Sequence, residues 1–511
     1  MSLVLFGAHQ VLSLACKNTY RQFYRQSNQL QQVQIQKLKQ ILNQSHLSYE
    51  EFKSNFPITR YVDWKDKIEH SRASNINQLN GENIIRFQPT SGSSEALKFI
   101  PYTQSFLDEL DQAIGLWLRS LYKQYPNLKN TTHYWSVSWL PESQRNNDEN
   151  KNLNDDSALL GFTKRILTHV TQSVPSEIAM AQTAEDAMFA TASYLASDEN
   201  LGMISVWSPT FALQLLDIIQ QHQLEICEVL HSGRWNRNSL QFLKAPKSVK
   251  QSQILASLNL NHPDSWKQLW KKLTLISSWD TASASHWAAV LRRRVNQVAF
   301  EGKGLWATEG VVTIPLEGHY PLMYQSHFYE FLDLDDGQIY PSWNLRIDQK
   351  VSPILTTGSG LTRYIIDDEL RVSEFYRGIP CFEFQGRKMT VDLVGEKIDQ
   401  ETALQILSTF KQSDYLPISL LGIEQVENKK PHYVLLSQGN IDLKPNKQDL
   451  DKILKKNFHY ELARNLGQLD EPYVIHVKDA WSFYKELAMY NGMIEGNIKP
   501  EPLKKMKKMV S

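Results

Sequence analysis

The stretch Thr90-Ser91-Gly92-Ser93-Ser94 places five consecutive small residues, four with hydroxyls, just after the short strand candidate Ile84–Phe87 and Gln88-Pro89. Side chains this small cannot build a core, so the chain leaves a short strand here and gathers backbone N–H and side-chain O–H donors in one loop. Gly92 lets the backbone approach whatever the loop wraps, and Lys98, four residues past the last serine, adds positive charge. A strand followed by such a loop suits an anion. The G-x-x-x-x-G-K-[ST] spacing of a Walker loop is absent, and an ordinary Ser-rich turn has the same local pattern.

Charge narrows the class. The 511 residues carry 55 Lys+Arg against 55 Asp+Glu, which lacks the positive footprint of a nucleic-acid binder. Hydrophobic residues at 41%, with 13 Trp, 21 Tyr and 20 Phe, supply an ample core and exclude a mainly disordered chain. Three cysteines (Cys16, Cys227, Cys381) make no disulfide framework, and no C-x-x-C pair offers a zinc site, so a reducing compartment fits. No apolar run reaches the ~18 residues that span a bilayer. The opening MSLVLFGAHQVLSLAC has no basic stretch before its apolar part, and His9-Gln10 split it. Ser13 stands where a lipoprotein needs an aliphatic residue. The expectation is an amphipathic first helix in a cytoplasmic protein rather than a signal peptide.

Within residues 1–45, Leu30, Val33, Leu38, Ile41 and Leu42 fall on one side of a Gln-rich helix whose glutamines read as its solvated face. Pro57 breaks the pattern and Trp64 begins another run. Residues 142–156 form a polar surface loop. Helices are expected at 185–198 and 208–222, with a buried strand at Met203–Trp207 between them. From about residue 272 short strands and helices alternate: Leu273–Ser277, Trp287–Val295, Val298–Glu301, then Tyr329–Leu334 and Gly337–Tyr340 around an Asp-Asp-Gly turn. Past Gly386 the chain reads as a compact α+β unit with helices near 400–411, 447–456 and 479–490 and strands near 418–426, 432–436 and 472–477. Its lysine-rich tail (Lys504, Lys505, Lys507, Lys508) reads as solvated and frayed. A large α/β body with a small C-terminal cap is the simplest architecture.

Two further motifs join the hydroxyl loop. Leu305-Trp306-Ala307-Thr308-Glu309-Gly310 ends a strand with a hydroxyl and a carboxylate, the pair that can sit beside a phosphate and its magnesium ion. Thr356-Thr357-Gly358-Ser359-Gly360 leads through Tyr364 to Asp367 and Asp368, and an Asp at a strand end can accept from both hydroxyls of a ribose. Each motif by itself also suits an ordinary turn.

Taken in order, the three motifs and the small C-terminal domain resemble the adenylate-forming superfamily, and more closely the plant auxin-conjugating acyl-acid amido synthetases and their bacterial relatives. The likeness runs through FPITRY at 56–61, TSGSSEALKFIPYT at 90–103, LGMISVWSPTF at 201–211 and FEGKGLWATEGVVTIPL at 300–316. It continues through FYEFLD at 328–333, TTGSGLTRY at 356–364 and GIPCFEFQGRKMTVDLVGEK at 378–397. The resemblance implies a large N-terminal nucleotide- and acyl-binding domain over 1–385, made of β-sheets flanked by helices plus a distorted barrel, and a small mobile α+β cap over 386–511. It implies ATP and Mg²⁺ as cofactors, and a carboxylic acid and an amine, such as an amino acid, as substrates. Ser91, Gly92, Ser93 and Ser94 would hold the phosphates with Lys98 nearby, and Thr308 and Glu309 the α-phosphate and Mg²⁺. Phe328 would stand beside adenine and Asp368 at the ribose. Phe384, Arg387 and Lys397 match further nucleotide contacts, Gly386, Arg387 and Lys388 a hinge, and Lys499 a catalytic lysine that enters the closed site. The chain departs from the family pattern at Glu95 and Ala96, where glycines are usual, and at Ile365 and Asp367, where Arg and Gly are usual.

The implied reaction forms an acyl-adenylate and pyrophosphate, then an amide. A thiol, a carrier-protein arm or another amine is the alternative acceptor, and a degenerate nucleotide-binding homologue the alternative class. His222, Glu225, Cys227 and His231 have spacings open to a metal but read as a polar helix surface. No G-x-S-x-G elbow supports a serine hydrolase. With no coiled-coil seam in the sequence, a monomer is the default.

Overall fold

The computed structural model describes residues 2–74, 76–89, 98–136, 170–387, 390–394, 396–424, 430–465, 467–491, 493 and 498–509, and within them every side chain but those of Ser2, Pro89, Ser283, His286, Arg387 and Phe458. The hydroxyl loop at 91–94, Glu95 and Ala96, the polar stretch 142–156, and Lys388 lie outside the described residues. The described residues divide into two compact units, one running to Gln385 and the other starting at Gly386. The protein is mixed α/β, with the larger unit N-terminal.

In the larger unit, helix α1 (Ser2–Ala15) is docked through His9, which is fully buried. Its Nε2–H donates to the Thr131 carbonyl at 2.9 Å and its Nδ1 accepts from the Tyr122 hydroxyl at 2.8 Å. Burial pulls the pKa of this ring down to about 4, so it sits there neutral. The helix is apolar on two sides, because Leu5, Ala8 and Leu12 are buried while Leu3, Val4 and Leu14 are exposed. Helix α2 (Leu30–Leu42) turns Leu30 and Leu38 inward as the spacing predicts, but one glutamine goes with them. Gln34 is fully buried; its amide donates to the carbonyls of Tyr324 (2.6 Å) and His327 (2.8 Å) and accepts from the Tyr329 N–H (2.9 Å). The solvated-face reading fails at this residue because its three partners lie about 290 positions away, where helical periodicity has no view of them. Gln34→Leu strands three backbone groups at roughly 1 to 3 kcal/mol each. We expect a loss of about 3 kcal/mol or more in urea unfolding, and a loss under about 1 kcal/mol would mean these bonds are dispensable.

A short antiparallel pair, β1 (Ile84–Pro89) and β2 (Phe99–Thr103), leads into the long helix α3 (Gln104–Gln124), whose first turn is capped by the Thr103 side chain accepting from Phe106 N–H. Four parallel strands then stack in chain order: β3 (Thr132–Trp135), β4 (Leu201–Ser205), β5 (Leu275–Ser277) and β6 (Ala299–Glu301). Helices α4 (Ala184–Ser197) and α5 (Pro209–Gln221) flank β4, with Thr183 and Ser208 as N-caps, close to the expected 185–198 and 208–222. All five residues of β4 are buried, as a parallel strand covered on both faces requires.

Beyond β6 come a tight hairpin, β7 (Trp306–Ala307) with β8 (Gly310–Val311), and a second sheet. That sheet holds β9 (Phe328–Asp333), β10 (Ile339–Pro341), β11 (Lys350–Thr356), β12 (Tyr364–Ile365), β13 (Asp368–Tyr376) and β14 (Ile379–Arg387), in the order β10-β9-β11-β13-β14 with β12 on β11. Its core joins the inner face of α3, with Phe106, Leu110, Leu116 and Leu121 packed with Tyr329, Phe331, Leu355 and Leu370.

The C-terminal unit is a four-stranded sheet in the order β17-β16-β15-β18, with β15 (Tyr415–Ile423), β16 (His432–Gly439), β17 (Tyr473–His476) and β18 (Leu503–Met506). Strand β18 corrects the frayed-tail expectation. It pairs parallel to β15 from Leu420↔Leu503 to Ile423↔Met506. Lys504 is only 2% exposed and donates to Glu501 at 2.8 Å, and Asn491 accepts from the N–H groups of Lys507 (2.9 Å) and Lys508 (3.2 Å). Lysine content alone misleads here because each neighbouring apolar residue, Leu503 and Met506, finds a buried place.

Candidate functional site

Thr308 and Glu309 form the two-residue tip of the β7–β8 hairpin, whose last pair is Ala307 with Gly310. Gly310 is where the hairpin presses on the sheet. A Cβ there would stand 2.6 Å from Leu355 Cδ2 and 2.9 Å from His327 Nε2. The Tyr102 hydroxyl donates to the Thr308 carbonyl at 3.0 Å, and the Tyr364 hydroxyl reaches Glu309 Oε1 at 3.4 Å. Burial first, then the Glu309 and Asp367 charges, push the Tyr364 phenol well above its ordinary pKa, so it stays a neutral donor. Glu309 itself is 9% exposed at the tip.

A buried relay fixes this tip against the Thr356–Gly360 loop. Glu109, on α3, accepts at Oε2 from His327 Nδ1–H (2.7 Å) and from the Gly358 N–H (2.9 Å). The Val311 N–H, next to the tip, donates to His327 Nε2 at 3.1 Å. Because Nε2 accepts, the imidazole is neutral and carries its proton on Nδ1. The Thr103 hydroxyl donates to the Gly358 carbonyl at 2.8 Å, and a Cβ on Gly358 would lie 2.9 Å from the Phe106 backbone nitrogen, so only glycine fits against the start of α3.

Arg363 ties three of the sequence motifs together. Its guanidinium donates twice to Glu330 (2.8 and 2.9 Å) and once each to the carbonyls of Phe56 (2.6 Å) and Lys53 (3.1 Å). Thr59 pairs with the same segment, its N–H donating to Arg363 O at 2.9 Å and its hydroxyl to Thr362 O at 2.7 Å. FPITRY, FYEFLD and TTGSGLTRY are therefore one assembly.

The other residues singled out from sequence lie as follows. Lys98 stands 5.6 Å over the ring of Tyr61, whose hydroxyl accepts from the Phe99 N–H at 3.0 Å. Asp368 opens β13 and is buried, its carbonyl accepting from Ser352, while Asp367 beside it is exposed and paired with Arg60 at 2.5 Å. Phe328 corrects the expectation of an aromatic beside adenine. It is fully buried with Leu38, Leu47 and Phe52, on the strand face opposite Tyr329, and presents no surface to a base. Phe384 packs half-buried on the large core. In the C-terminal unit, Gly386 has φ +148° with the Gln400 amide 3.0 Å from where a Cβ would stand. Lys397 is exposed at φ +50°, after Glu396, whose carboxylate accepts from the N–H groups of Leu393 and Val394, each at 2.9 Å. Lys499 is half-buried between the buried Ile498 and Pro500. Around the helix Gln223–Ser232 three of the four candidate ligands have other partners: His222 pairs with Glu225 (2.9 Å), Glu225 with Arg237 (3.0 Å), and the Cys227 thiol donates to Ser252 O (3.4 Å). Among the described residues no group of three or more His, Cys, Asp or Glu is placed to hold a metal.

Sequence reasoning missed an aromatic slot against the hairpin. Trp117 on α3, Trp135 at the end of β3, Trp207 just past β4 and Trp306 on β7 line it with Ile114, Ile314, Pro315 and Lys303. The Lys303 ammonium is 4.7 Å from the Trp207 ring and 5.1 Å from that of Trp117, and donates to Ser205 Oγ at 2.7 Å. Trp117 Nε1–H donates to Glu301 Oε1 at 2.8 Å, and burial pushes that carboxyl up to about 7. The four indoles come from four separate elements, so no local spacing announces them. The one local signal is Lys303 between two glycines, directly ahead of Trp306.

Against known proteins, the model described as GH3 family N-terminal domain matches residues 19–300, and that described as GH3 family central domain matches 320–387. Indole-3-acetic acid-amido synthetase GH3.15 of Arabidopsis thaliana is 22% identical over 419 residues, covering 74% of this chain and 69% of the relative. The 4-substituted benzoates-glutamate ligase GH3.12 of the same plant is 21% identical over 393 residues, 70% of this chain and 67% of the relative. Among solved structures, GH3.15 acyl acid amido synthetase superposes with a TM-score of 0.72 at 17% identity, over 94% of this chain and 92% of that one. The backbone thus has the fold of an acyl acid amido synthetase, and with its N-terminal family model spanning more than half of its length the chain belongs to the GH3 family.

Proposed function

We propose that this protein is an ATP-dependent acyl acid amido synthetase, a carbon–nitrogen ligase that adenylates a carboxylic acid and passes the acyl group to the amine of an amino acid. The observation that carries the reading is the hairpin tip. A hydroxyl and a carboxylate stand at Thr308 and Glu309, locked by a buried relay to the Thr356–Gly360 loop, with an aromatic slot and a cation alongside.

In the first step a carboxylate oxygen of the acid attacks the α-phosphorus of ATP and pyrophosphate leaves. The protein's part is positioning and stabilising phosphate charge. Ser91, Gly92, Ser93, Ser94 and Lys98 take the phosphates in this reading, with Asp368 at the ribose and Phe384, Arg387 and Lys397 as further nucleotide contacts. Thr308 and Glu309 offer hard oxygen donors, and one carboxylate is enough for Mg²⁺, which keeps water and phosphate ligands of its own and supplies charge neutralisation when bound. In the second step the amine nitrogen attacks the activated carbonyl carbon and AMP leaves. Lys499 serves the first step, and rotation about 386–388 separates the two. Among the described residues no helix is long and apolar enough to cross a membrane. The three cysteines are buried thiols joined in no disulfide, which suits a reducing compartment.

The test is pyrophosphate release from ATP and Mg²⁺ across a panel of aryl, indolyl and aliphatic acids, first without and then with amino acids. Acid-dependent release followed by amino-acid-dependent AMP is expected. No release with any acid would overturn the ligase reading, and release with AMP formed only on adding a thiol would move the acceptor to that class.

A further inference from the structure

We propose that the outer face of the first two helices docks the protein peripherally onto an anionic lipid surface. The proposal goes beyond the ligase reading and stands independently of it. Helix α1 carries no Asp, Glu, Lys or Arg, and its one imidazole, His9, is buried and neutral. Its inner side is filled by Leu5, Ala8 and Leu12, yet Leu3, Val4, Val11 and Leu14 lie in water, Leu3 at 85% exposure and Leu14 at 60%. These four follow the helical repeat, so they form one stripe rather than scattered contacts. Gly7 falls within the stripe, and among the described residues nothing comes within 4 Å of where its Cβ would stand.

The stripe continues past α1. The backbone stays right-handed through Cys16, whose N–H donates to Leu12 O at 3.1 Å and whose carbonyl accepts from the Tyr20 N–H at 3.1 Å. The next helix, Lys17–Gln26, carries the same face onward through Asn18, Arg21, Gln22 and Arg25, all exposed, while Phe23 turns inward. One face is thus apolar over its first half and basic over its second.

Charge decides what can cover it. The first 49 residues hold Lys17, Arg21, Arg25, Lys37 and Lys39 and no Asp or Glu, in a chain with 55 charges of each sign. The elements packed beside these helices add cations. Arg119 donates to Ser13 O at 3.3 Å, the Lys129 charge is felt at His9, and Arg377 lies 4.8 Å over the Tyr24 ring. Glu317, which accepts from the Tyr20 hydroxyl, is answered by Lys123 at 3.3 Å. A second copy of the chain would bring the same cations to this face and, from this segment, no carboxylate to meet them. A nucleic acid would engage the arginines and leave the apolar stripe in water. A bilayer interface takes both halves, with the leucines and valines at the acyl boundary and the arginines among anionic headgroups.

The test is sedimentation of the full chain with vesicles of phosphatidylglycerol and phosphatidylcholine in equal parts, and with vesicles of phosphatidylcholine alone. The anionic vesicles are expected to take up at least tenfold more protein. Raising the salt to about 1 M, where screening acts within ~3 Å, should remove that preference. Val11→Glu combined with Leu14→Glu should weaken anionic binding at least tenfold and leave the unfolding midpoint in place, because both positions are exposed. Arg21→Gln combined with Arg25→Gln should lower the anionic preference about fivefold or more. The comparison of the two vesicles with the unaltered protein stands even if a variant fails to fold. Equal uptake by both vesicles, no uptake by either, or full binding by the Val11→Glu, Leu14→Glu protein would each overturn the assignment. A dimer in solution that the same two substitutions dissociate, without vesicle binding, would give the face to a second copy instead.

Discussion

Glu309→Gln is expected to lower acid-dependent pyrophosphate release by about 100- to 1000-fold, the usual effect of removing one preorganised charged group from a transition state. The swap keeps the shape of the side chain and an oxygen for the Tyr364 hydroxyl, which sits 3.4 Å away. What it deletes is the negative charge at the hairpin tip. Tyr364 and Tyr102 near it are neutral phenols held above their ordinary pKa by burial, so neither loses an opposite charge in the swap. The unfolding midpoint should therefore stay put while turnover collapses. A variant with unchanged pyrophosphate release would remove Glu309 from the phosphate-side chemistry altogether.

Glu109→Leu should have the opposite profile, with a large loss of stability of about 3 to 5 kcal/mol from two buried donors that bonded a carboxylate and now bond nothing. Those donors, His327 Nδ1–H and the Gly358 N–H, converge on one oxygen from two different strands' ends. Freed of Glu109, the imidazole no longer has a reason to keep its proton on Nδ1. A change of tautomer would set an N–H against the Val311 N–H at the hairpin tip. Glu109→Gln retains an accepting oxygen and should recover more than half of the lost stability. The check is urea unfolding of both variants together with pyrophosphate release under native conditions. If Glu109→Leu unfolds within about 1 kcal/mol of the parent, the relay does not anchor the site.

How far the sequence could be read depends on how local each feature is. Helices α4 and α5 are legible because their caps, Thr183 and Ser208, stand immediately before the apolar spacing they start. The β9–β10 hairpin is legible because Asp333 accepts from the N–H groups of Asp335 and Asp336 within the turn itself. The Thr308-Glu309 pair stands out because strand and turn chemistry meet in six residues. What stayed hidden is held by distant partners: Gln34 by residues near 327, His327 by Glu109 on α3, and the slot by four tryptophans on four elements. Phe328 and Tyr329 differ only in strand parity, one facing an apolar cluster and the other bonding Val311 O at 2.6 Å. Nothing in the residue types says which parity faces the site.

The parallel pairing of β18 with β15 also governs the order in which the C-terminal unit can be completed. Strand β15 is buried at eight of its nine positions and bonds to β16 on one side only until residues 503–506 have left the ribosome, some eighty positions later. During that interval an apolar strand with an unpaired edge is the most adhesive surface of the nascent unit. Ring closure over such a span is slow, and parallel addition cannot begin from a tight turn. The partner strand that ends the wait is Leu-Lys-Lys-Met, two charges between two apolar residues. A sequence of that kind stays dissolved while it searches, and seals the edge when it arrives.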